Sequence, residues 1–149
     1  MDKWELVPGR GIVRGENNIF FGTQRKALQD SLGGKPSGDQ LWDDEDEYSL
    51  PDGSDWLRLR YMDGKLCDIE VLGGSLQYEG IELVDTTGPE LEAAMSAAKH
   101  DLVDTQWLSQ GRDCIDLQIV VATRADEGEE GEDRERIAWV FTSVDFKVE

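Results

Sequence analysis

The chain has 149 residues, of which 33 are acidic and 15 basic, and its formal net charge is −18. A surface this acidic repels phosphate, so the composition argues against a nucleic-acid ligand and favours attraction to a basic partner. No apolar run approaches the ~18 residues that a membrane span needs, and the N-terminus lacks the apolar core of a signal peptide. We therefore expect one cytoplasmic domain, residues 1–149, without a membrane partner.

The N-terminal part predicts short strands at residues 4–7 and 19–21, flanking a glycine-rich loop. Thr23 is then the predicted N-cap of a helix over residues 24–32, because threonine favours that position. A polar connection over residues 35–47 carries the first acidic run before the chain reaches its clearest structural pattern.

That pattern is a β-hairpin over residues 56–72, where apolar and polar residues alternate on both sides of an Asp-Gly turn. A three-residue loop, 63–65, keeps the apolar faces together, whereas a two-residue loop mixes them. The preferred register also sets Arg58 against Glu70 and Arg60 against Asp68. It therefore predicts a cross-strand ladder of opposite charges.

The second half begins with a predicted strand at residues 81–84 and a helix that starts at Thr87, where T-G-P-E matches a capping box. Two alternating segments, 114–123 and 136–148, predict long strands that flank a second acidic run. Both cysteines, Cys67 and Cys114, fall in predicted strands, where they are expected to be small buried hydrophobic residues rather than a disulfide.

The order of strand, helix, short strand and hairpin occurs at residues 19–72 and again at 81–148, which predicts a repeat of pattern rather than of residue identity. Neighbouring hairpins usually pair, and helices on one side cover one sheet face. The expected fold class is α+β, with a mostly antiparallel sheet and two helices on one of its faces.

Two acidic runs are the candidate partner-binding sites. A cluster of carboxylates beside an aromatic residue speeds encounter with a basic protein and supplies a buried contact; the alternative for each run is a solvated loop, disordered in the second. The candidate residues are Trp42, Asp43, Asp44, Glu45, Asp46 and Glu47 in the first run, and Asp126, Glu127, Glu129 and Glu130 in the second.

Catalytic, metal and cofactor sites are poorly supported by the sequence. The only histidine, His100, is predicted at a helix end, where the helix dipole already explains it. Without a second histidine, neither a metal cluster nor a Ser-His-Asp arrangement can be drawn. The expectation is a protein that is not an enzyme and needs no cofactor or metal.

Three segments resemble a bacterial group of small cytosolic proteins that lie beside polymorphic or contact-dependent toxins and are taken to be their immunity proteins. The segments are IFFGTQRKALQDSLGG, YSLPDGSDWLRLRYMDGKLCDIEVL and YEGIELVDTTGPELEAAM. The helix-plus-strands halves are also similar to the units of the β-lactamase-inhibitor-like fold. The resemblance implies a structural framework and a toxin-binding role, and it defines no active site.

Composition and resemblance together lead us to expect an acidic immunity protein. Such a protein would bind a basic toxin domain, such as a nuclease, and block it by electrostatic and steric occlusion. A general acidic adaptor for another basic protein is the first alternative. A carboxylate-dependent hydrolase is the second, and it requires a carboxylate pair of raised pKa in a deep pocket.

Overall fold

A computed structural model describes residues 3–32, 44–49, 55–104 and 112–144. Its helices are α1 (Arg25–Ser31) and α2 (Gly88–Ala97). Its strands are β1 (Trp4–Val7), β2 (Gly11–Arg14), β3 (Asn17–Phe20), β4 (Glu45–Ser49), β5 (Trp56–Met62), β6 (Lys65–Gly73), β7 (Leu76–Tyr78), β8 (Ile81–Glu82), β9 (Val103–Asp104), β10 (Arg112–Cys114), β11 (Ile119–Thr123) and β12 (Ile137–Ser143).

The strands form two sheets, so the predicted α+β class is confirmed but the single predicted sheet is wrong. One sheet has five strands in the order β3-β2-β1-β7-β8, and the other has seven in the order β4-β5-β6-β12-β11-β10-β9. Pairing is antiparallel except between β1 and β7. The segment that we predicted as a glycine-rich loop contains β2, a strand of the five-stranded sheet. This is one reason why the prediction did not include a second sheet. The two-fold repeat stays a prediction.

Buried side chains from both sheets belong to one hydrophobic core. Trp4 and Ile12 come from the five-stranded sheet, and Leu59 and Ile69 from the seven-stranded sheet; each is at most 1% exposed. We call the core-facing side of the seven-stranded sheet its inner face and the opposite side its outer face. Because strand side chains alternate, every second residue of β5, and of β6 beyond its first turn-proximal residues, lies on the outer face.

The β5–β6 hairpin has the predicted pairing in its body and a different turn. Arg58 pairs with Glu70 and Leu59 with Ile69, as predicted, but Met62 pairs with Lys65 across a two-residue turn. A bulge between Arg60 and Tyr61 shifts the register by one residue. The bulge restores the faces that a two-residue turn would otherwise mix, so the inference of a three-residue loop is wrong.

Helix α1 starts at the tip of this hairpin. The Arg25 amide donates to the Gly64 carbonyl, and the Leu66 amide donates to the Thr23 carbonyl, both at 2.9 Å. The N-cap is Gln24 rather than the predicted Thr23, and its side chain makes no capping hydrogen bond. The first of these bonds satisfies the Arg25 amide, one of the amides at a helix start that have no partner within the helix, so the hairpin anchors the start of α1.

Helix α2 begins at the predicted N-cap. The Thr87 side chain accepts a hydrogen bond from the Glu90 amide, and proline occupies the first turn. Leu91 and Met95 are the buried residues of this helix, and it ends at Ala97. Neither described helix has the length and apolarity that crossing a membrane requires.

The C-terminal strands differ from the prediction in two ways. The segment predicted as one strand, 114–123, is a hairpin, because residues 115–118 form the turn between β10 and β11. Gln118 there has a φ of +56°, which breaks the extended strand. In β12, the alternation begun by Ile137 does not continue through Trp139 and Phe141, because the register shifts near Thr123 and Val140 and Thr142 face the core.

The Glu82 carboxylate organises the connection between β7 and α2. It accepts hydrogen bonds from the Ser75 hydroxyl and from the amides of Leu76, Val84 and Asp85. Burial alone raises the pKa of this carboxyl, but the hydrogen bonds outweigh burial, so the pKa lies below its ordinary value of 4.5. Ionised Glu82 therefore stabilises the fold above pH 4.5, and this contribution is lost as the pH falls through the lower folded-state pKa.

Glu82→Gln is expected to lower the free energy of unfolding at pH 7 by ~1–2 kcal/mol, since one amide oxygen replaces a charged acceptor of four hydrogen bonds in a partly solvated site. Urea unfolding of wild type and variant between pH 7 and pH 3 measures this difference, which should shrink below pH 4.5. Glu79→Gln, an exposed neighbour, is the control. A difference that stays constant with pH would contradict this role of the carboxylate.

Candidate functional site

The first acidic run is largely a strand and not the predicted polar connection. Trp42 and Asp43 lie outside the described residues, and Asp44 is exposed just before β4. Glu45, Asp46 and Glu47 alternate across β4, which pairs with β5 at the edge of the described seven-stranded sheet. Their side chains therefore point to opposite faces, and they do not form one cluster.

Asp46 lies on the inner face and is fully buried. Its carboxylate accepts hydrogen bonds from the Arg25 guanidinium at 2.5 and 3.1 Å and from the Gln29 amide group at 2.9 Å. The guanidinium also lies 5.0 Å from the centre of the Tyr61 ring. Burial raises the pKa of Tyr48 to about 12, and the charge of Asp46 adds to this effect. Asp46 thus stabilises α1 against the sheet and is inaccessible to a partner.

Glu45 and Glu47 lie on the outer face, where they extend the predicted charge ladder. Glu47 accepts a hydrogen bond from Arg58 at 2.8 Å, and Glu70 lies 3.4 Å from the same guanidinium. Arg60 is opposite Asp68 in register, as predicted, but its ion pair within the described chain is with Glu45, at 3.5 Å. Most of the carboxylates in this run are thus already paired within the chain.

The second acidic run has regular backbone geometry. It forms two 3₁₀ turns, Arg124–Glu127 and Glu132–Glu135, between β11 and β12; we call residues 124–136 the acidic tip. Asp126 and Thr123 cap the first turn reciprocally: the Asp126 carboxylate accepts from the Thr123 amide and hydroxyl at 3.0 and 3.1 Å. Asp126 therefore holds the tip in shape, since it satisfies backbone groups at the start of the turn.

The other carboxylates of the tip point into solvent. The exposed acidic residues are Glu127, Glu129, Glu130, Glu132, Asp133 and Glu135. Three arginines accompany them, but Arg134 donates to the Gly131 carbonyl at 2.9 Å and Arg136 pairs with Asp85 at 2.6 Å. Arg124 lies 3.9 Å from Glu129, a long contact between half-exposed groups that is weak in water. Negative charge therefore dominates this surface.

The start of α2 lies against the tip and adds to its charge. The Ile137 amide donates to the Thr86 carbonyl at 3.0 Å, and Thr87 forms an isolated bridge with Arg136. Asp85, Glu90 and Glu92 are exposed in this region. Because the two segments are joined through their backbones, their carboxylates form one anionic surface.

A cavity of about 460 Å³ opens between the acidic tip, the start of α2 and the inner face of the seven-stranded sheet. The apolar lining residues are Pro89, Leu91, Leu102, Val121, Ala125 and Ile137, and the charged ones are Glu92, Arg112, Arg134 and Glu135. An apolar floor with a charged rim is the usual architecture of a site that accepts an anchoring side chain. The sequence did not predict this cavity.

The two acidic runs lie at opposite ends of the seven-stranded sheet. Glu45 is level with Arg60, Asp68 and Ser143, where β12 ends. The acidic tip instead precedes Ile137, where β12 begins, which is ~20 Å away along that strand. The electric fields of the acidic tip and of the described part of the first run therefore act on different surfaces.

His100 and the two cysteines contact neighbouring residues of the fold. His100 lies 3.3 Å from Asp116, and its ring meets the edge of the Tyr78 ring at 5.5 Å. Cys67 and Cys114 are buried free thiols, and burial raises the pKa of Cys114. Among the described residues, no three His, Cys, Asp or Glu side chains converge as a metal site requires.

Two local signals in the sequence point to features that the prediction missed. Tyr48 and Asp46 alternate with Glu45 and Glu47, which is the period of a strand and not of a loop. Thr123 followed three residues later by an acidic residue is a capping pattern.

No protein-family profile, curated protein or solved structure matches the chain.

Proposed function

We propose that this chain is an acidic binding protein that captures a basic protein partner with its acidic tip. The observation that carries the proposal is the tip itself: two short turns present six exposed carboxylates, more than the three neighbouring arginines can neutralise. An anionic surface held in regular turns attracts a cationic partner over a distance and loses little entropy on binding. The first acidic run supports the proposal less, because Asp46 is buried and Glu47 is paired.

The cavity beside the tip supplies the second part of the mechanism. Its floor, which includes Leu91 and Ile137, can bury an apolar or aromatic side chain of the partner. Interfaces take most of their affinity from a few such buried anchors, whereas peripheral charges mainly set the association rate. The acidic tip would thus guide the partner, and the cavity would hold it.

The partner we propose is a basic toxin domain, such as a nuclease, which makes the chain an immunity-type inhibitor of the cytoplasm. The resemblance of residues 19–34, 48–72 and 78–95 to such proteins supports this choice. A domain that binds nucleic acid has a cationic groove, and an anionic surface placed over that groove blocks it both sterically and electrostatically. The buried free thiols of Cys67 and Cys114 are compatible with a reducing compartment.

Co-expression with the product of the gene upstream in the genome of origin tests this proposal. The chain should relieve the growth arrest that this product causes, and the two proteins should co-purify as a complex. Glu127→Gln/Glu129→Gln/Glu130→Gln, the tip variant, should lose protection, because it removes three exposed charges but leaves the Asp126 cap in place.

The matched control is Glu5→Gln/Glu16→Gln/Glu79→Gln, which removes the same charge from exposed positions away from the tip. It should protect as well as the wild type does. Equal loss of protection in both variants would show that net charge alone matters, and would contradict binding through the tip. Co-purification with a basic protein that is not toxic would instead identify the chain as a general acidic adaptor.

A further inference from the structure

The outer face of the seven-stranded sheet carries a groove of about 290 Å³, at the end opposite the acidic tip. Its lining residues are Glu45, Arg58, Leu59, Arg60, Asp68, Glu70 and Phe141. Three carboxylates therefore meet two guanidinium groups beside one aromatic ring. The proposed role of the acidic tip makes no use of this groove.

Glu45 is the unusual member of the groove. The residue is only 5% exposed, and its nearest cation in the described chain, Arg60, is 3.5 Å from one carboxylate oxygen. The other oxygen, Oε1, is buried and has no hydrogen-bond partner among the residues that the structure describes. A buried carboxylate oxygen almost always accepts a hydrogen bond, since leaving it unpaired is costly. The groove thus lacks a donor at Glu45.

The remaining carboxylates are also incompletely paired. Arg58 commits its Nε to Glu47 at 2.8 Å, so that Glu70 keeps only a 3.4 Å contact with Nη1. Burial raises the pKa of Glu70, and the charge of Glu45 adds to the effect, while Arg58 opposes it. Asp68 faces Arg60 across the strands. A further cation with several donors would stabilise this whole group of acids.

We infer that this groove binds a guanidinium group, and that its natural occupant is an arginine side chain of the basic partner. Guanidinium carries five donors in one plane and can serve two carboxylates at once, which an ammonium group cannot do as well. Its flat face can also stack on the half-buried ring of Phe141. Entry requires Arg60 to move aside, and its side chain is 46% exposed.

The inference depends on the proposed function in one respect only, namely that the arginine comes from the basic partner. The guanidinium site itself follows from Glu45 and its neighbours, whereas the partner-binding role follows from the acidic tip. The two can therefore fail separately, because their residues lie at opposite ends of the sheet.

Titration of the ¹⁵N-labelled chain with Nα-acetyl-L-arginine N-methylamide, followed by NMR, tests the site. We expect saturable shifts at the amides of Glu45, Arg60, Glu70 and Phe141. The citrulline analogue, which has the same shape without the charge, should bind at least about tenfold more weakly, because it loses the charge-assisted bonds. Equal shifts with both compounds, or shifts spread over all acidic surfaces, would overturn the inference.

Glu45→Gln should weaken binding of the arginine compound by about tenfold or more, because the amide cannot supply the missing charge. Glu16→Gln, an exposed acid elsewhere, and the tip variant should bind it as the wild type does. If Glu45→Gln does not fold, Glu70→Gln and Phe141→Leu take its place and should show the same loss. Unchanged affinity in the folded variants would overturn the inference.

A parallel titration with free L-arginine distinguishes the two sources of a guanidinium group. If the natural occupant is an arginine side chain of a protein, Nα-acetyl-L-arginine N-methylamide should bind at least as well as the free amino acid. Binding of free arginine tenfold more tightly would assign the groove to a small metabolite and overturn the choice of a partner side chain. If Glu45→Gln binds the partner with wild-type affinity, this result would also overturn the choice of a partner side chain, but it would not affect the role of the tip.

Discussion

Arg25→Met is expected to lower the free energy of unfolding by ~3–5 kcal/mol, because it leaves a buried carboxylate without its cation. Asp46 is fully buried and receives two of its hydrogen bonds from Arg25. Gln29, which also donates to Asp46, is neutral and cannot balance the charge. Urea unfolding at pH 7, followed by tryptophan fluorescence, measures the loss.

The matched control for this prediction is Arg124→Met, which removes the same charge from a half-exposed pair 3.9 Å apart. Its effect should stay below ~1 kcal/mol, as is usual for surface ion pairs. The double variant Arg25→Met/Asp46→Leu should recover part of the stability, since a buried pair costs more to break than to replace with apolar groups. If Arg25→Met and Arg124→Met unfold at the same urea concentration, the buried pair does not have the role described above.

Gly11→Ala is the second substitution with a large expected effect. Gly11 has a φ of +143°, and a Cβ added there would lie 1.9 Å from the backbone carbonyl oxygen of Ile19. A backbone atom cannot move aside as a flexible side chain can, so the β2–β3 pairing would have to separate at this point. We expect a loss of at least ~3 kcal/mol, the upper range for an overpacked core site, measured as a fall in the urea midpoint.

Gly15→Ala separates steric conflict from backbone strain. Gly15 also has a positive φ, +60°, but a Cβ there meets no atom within 4 Å. The expected loss is ~1–2 kcal/mol, which is the cost of the left-handed conformation alone. Equal losses in the two variants would mean that the contact between β2 and β3 at Gly11 is looser than described.

The β5–β6 hairpin shows what local pattern can predict. Alternation of apolar and charged residues correctly placed Arg58 opposite Glu70, because a one-residue slip would move a whole face into solvent. The same reasoning failed at the turn, since a bulge supplies the extra residue there. Leu66 and Cys67 are both buried, and that break in the alternation was the available signal.

The C-terminal hairpin was missed for a related reason. Leu117 is buried although it lies in the turn of residues 115–118, so apolar alternation continued through a segment where the chain reverses. Ile115, which alternates in the sequence with buried Leu117, is 48% exposed. Apolar periodicity indicates which side chains are buried. A buried residue in a turn therefore gives the same pattern as a residue in a strand.

The candidate site was only partly predictable. The acidic tip was correctly placed between two strands, because charged residues and glycines interrupt the alternation there. The fate of Asp46 depends on Arg25, which lies 21 positions earlier in the chain, and no local pattern links the two. A run of carboxylates therefore does not by itself predict that each of them is exposed, because a cation from another element can pair with one of them in the core.

The association rate of the chain with its basic partner, measured by stopped flow across a range of salt concentrations, tests the role of the acidic tip most directly. We expect the tip variant to associate about tenfold more slowly than the wild type at low salt, with a weaker dependence on salt, and the matched control to change by less than about twofold. A tip variant with the association rate and salt dependence of the wild type would contradict binding through the acidic tip.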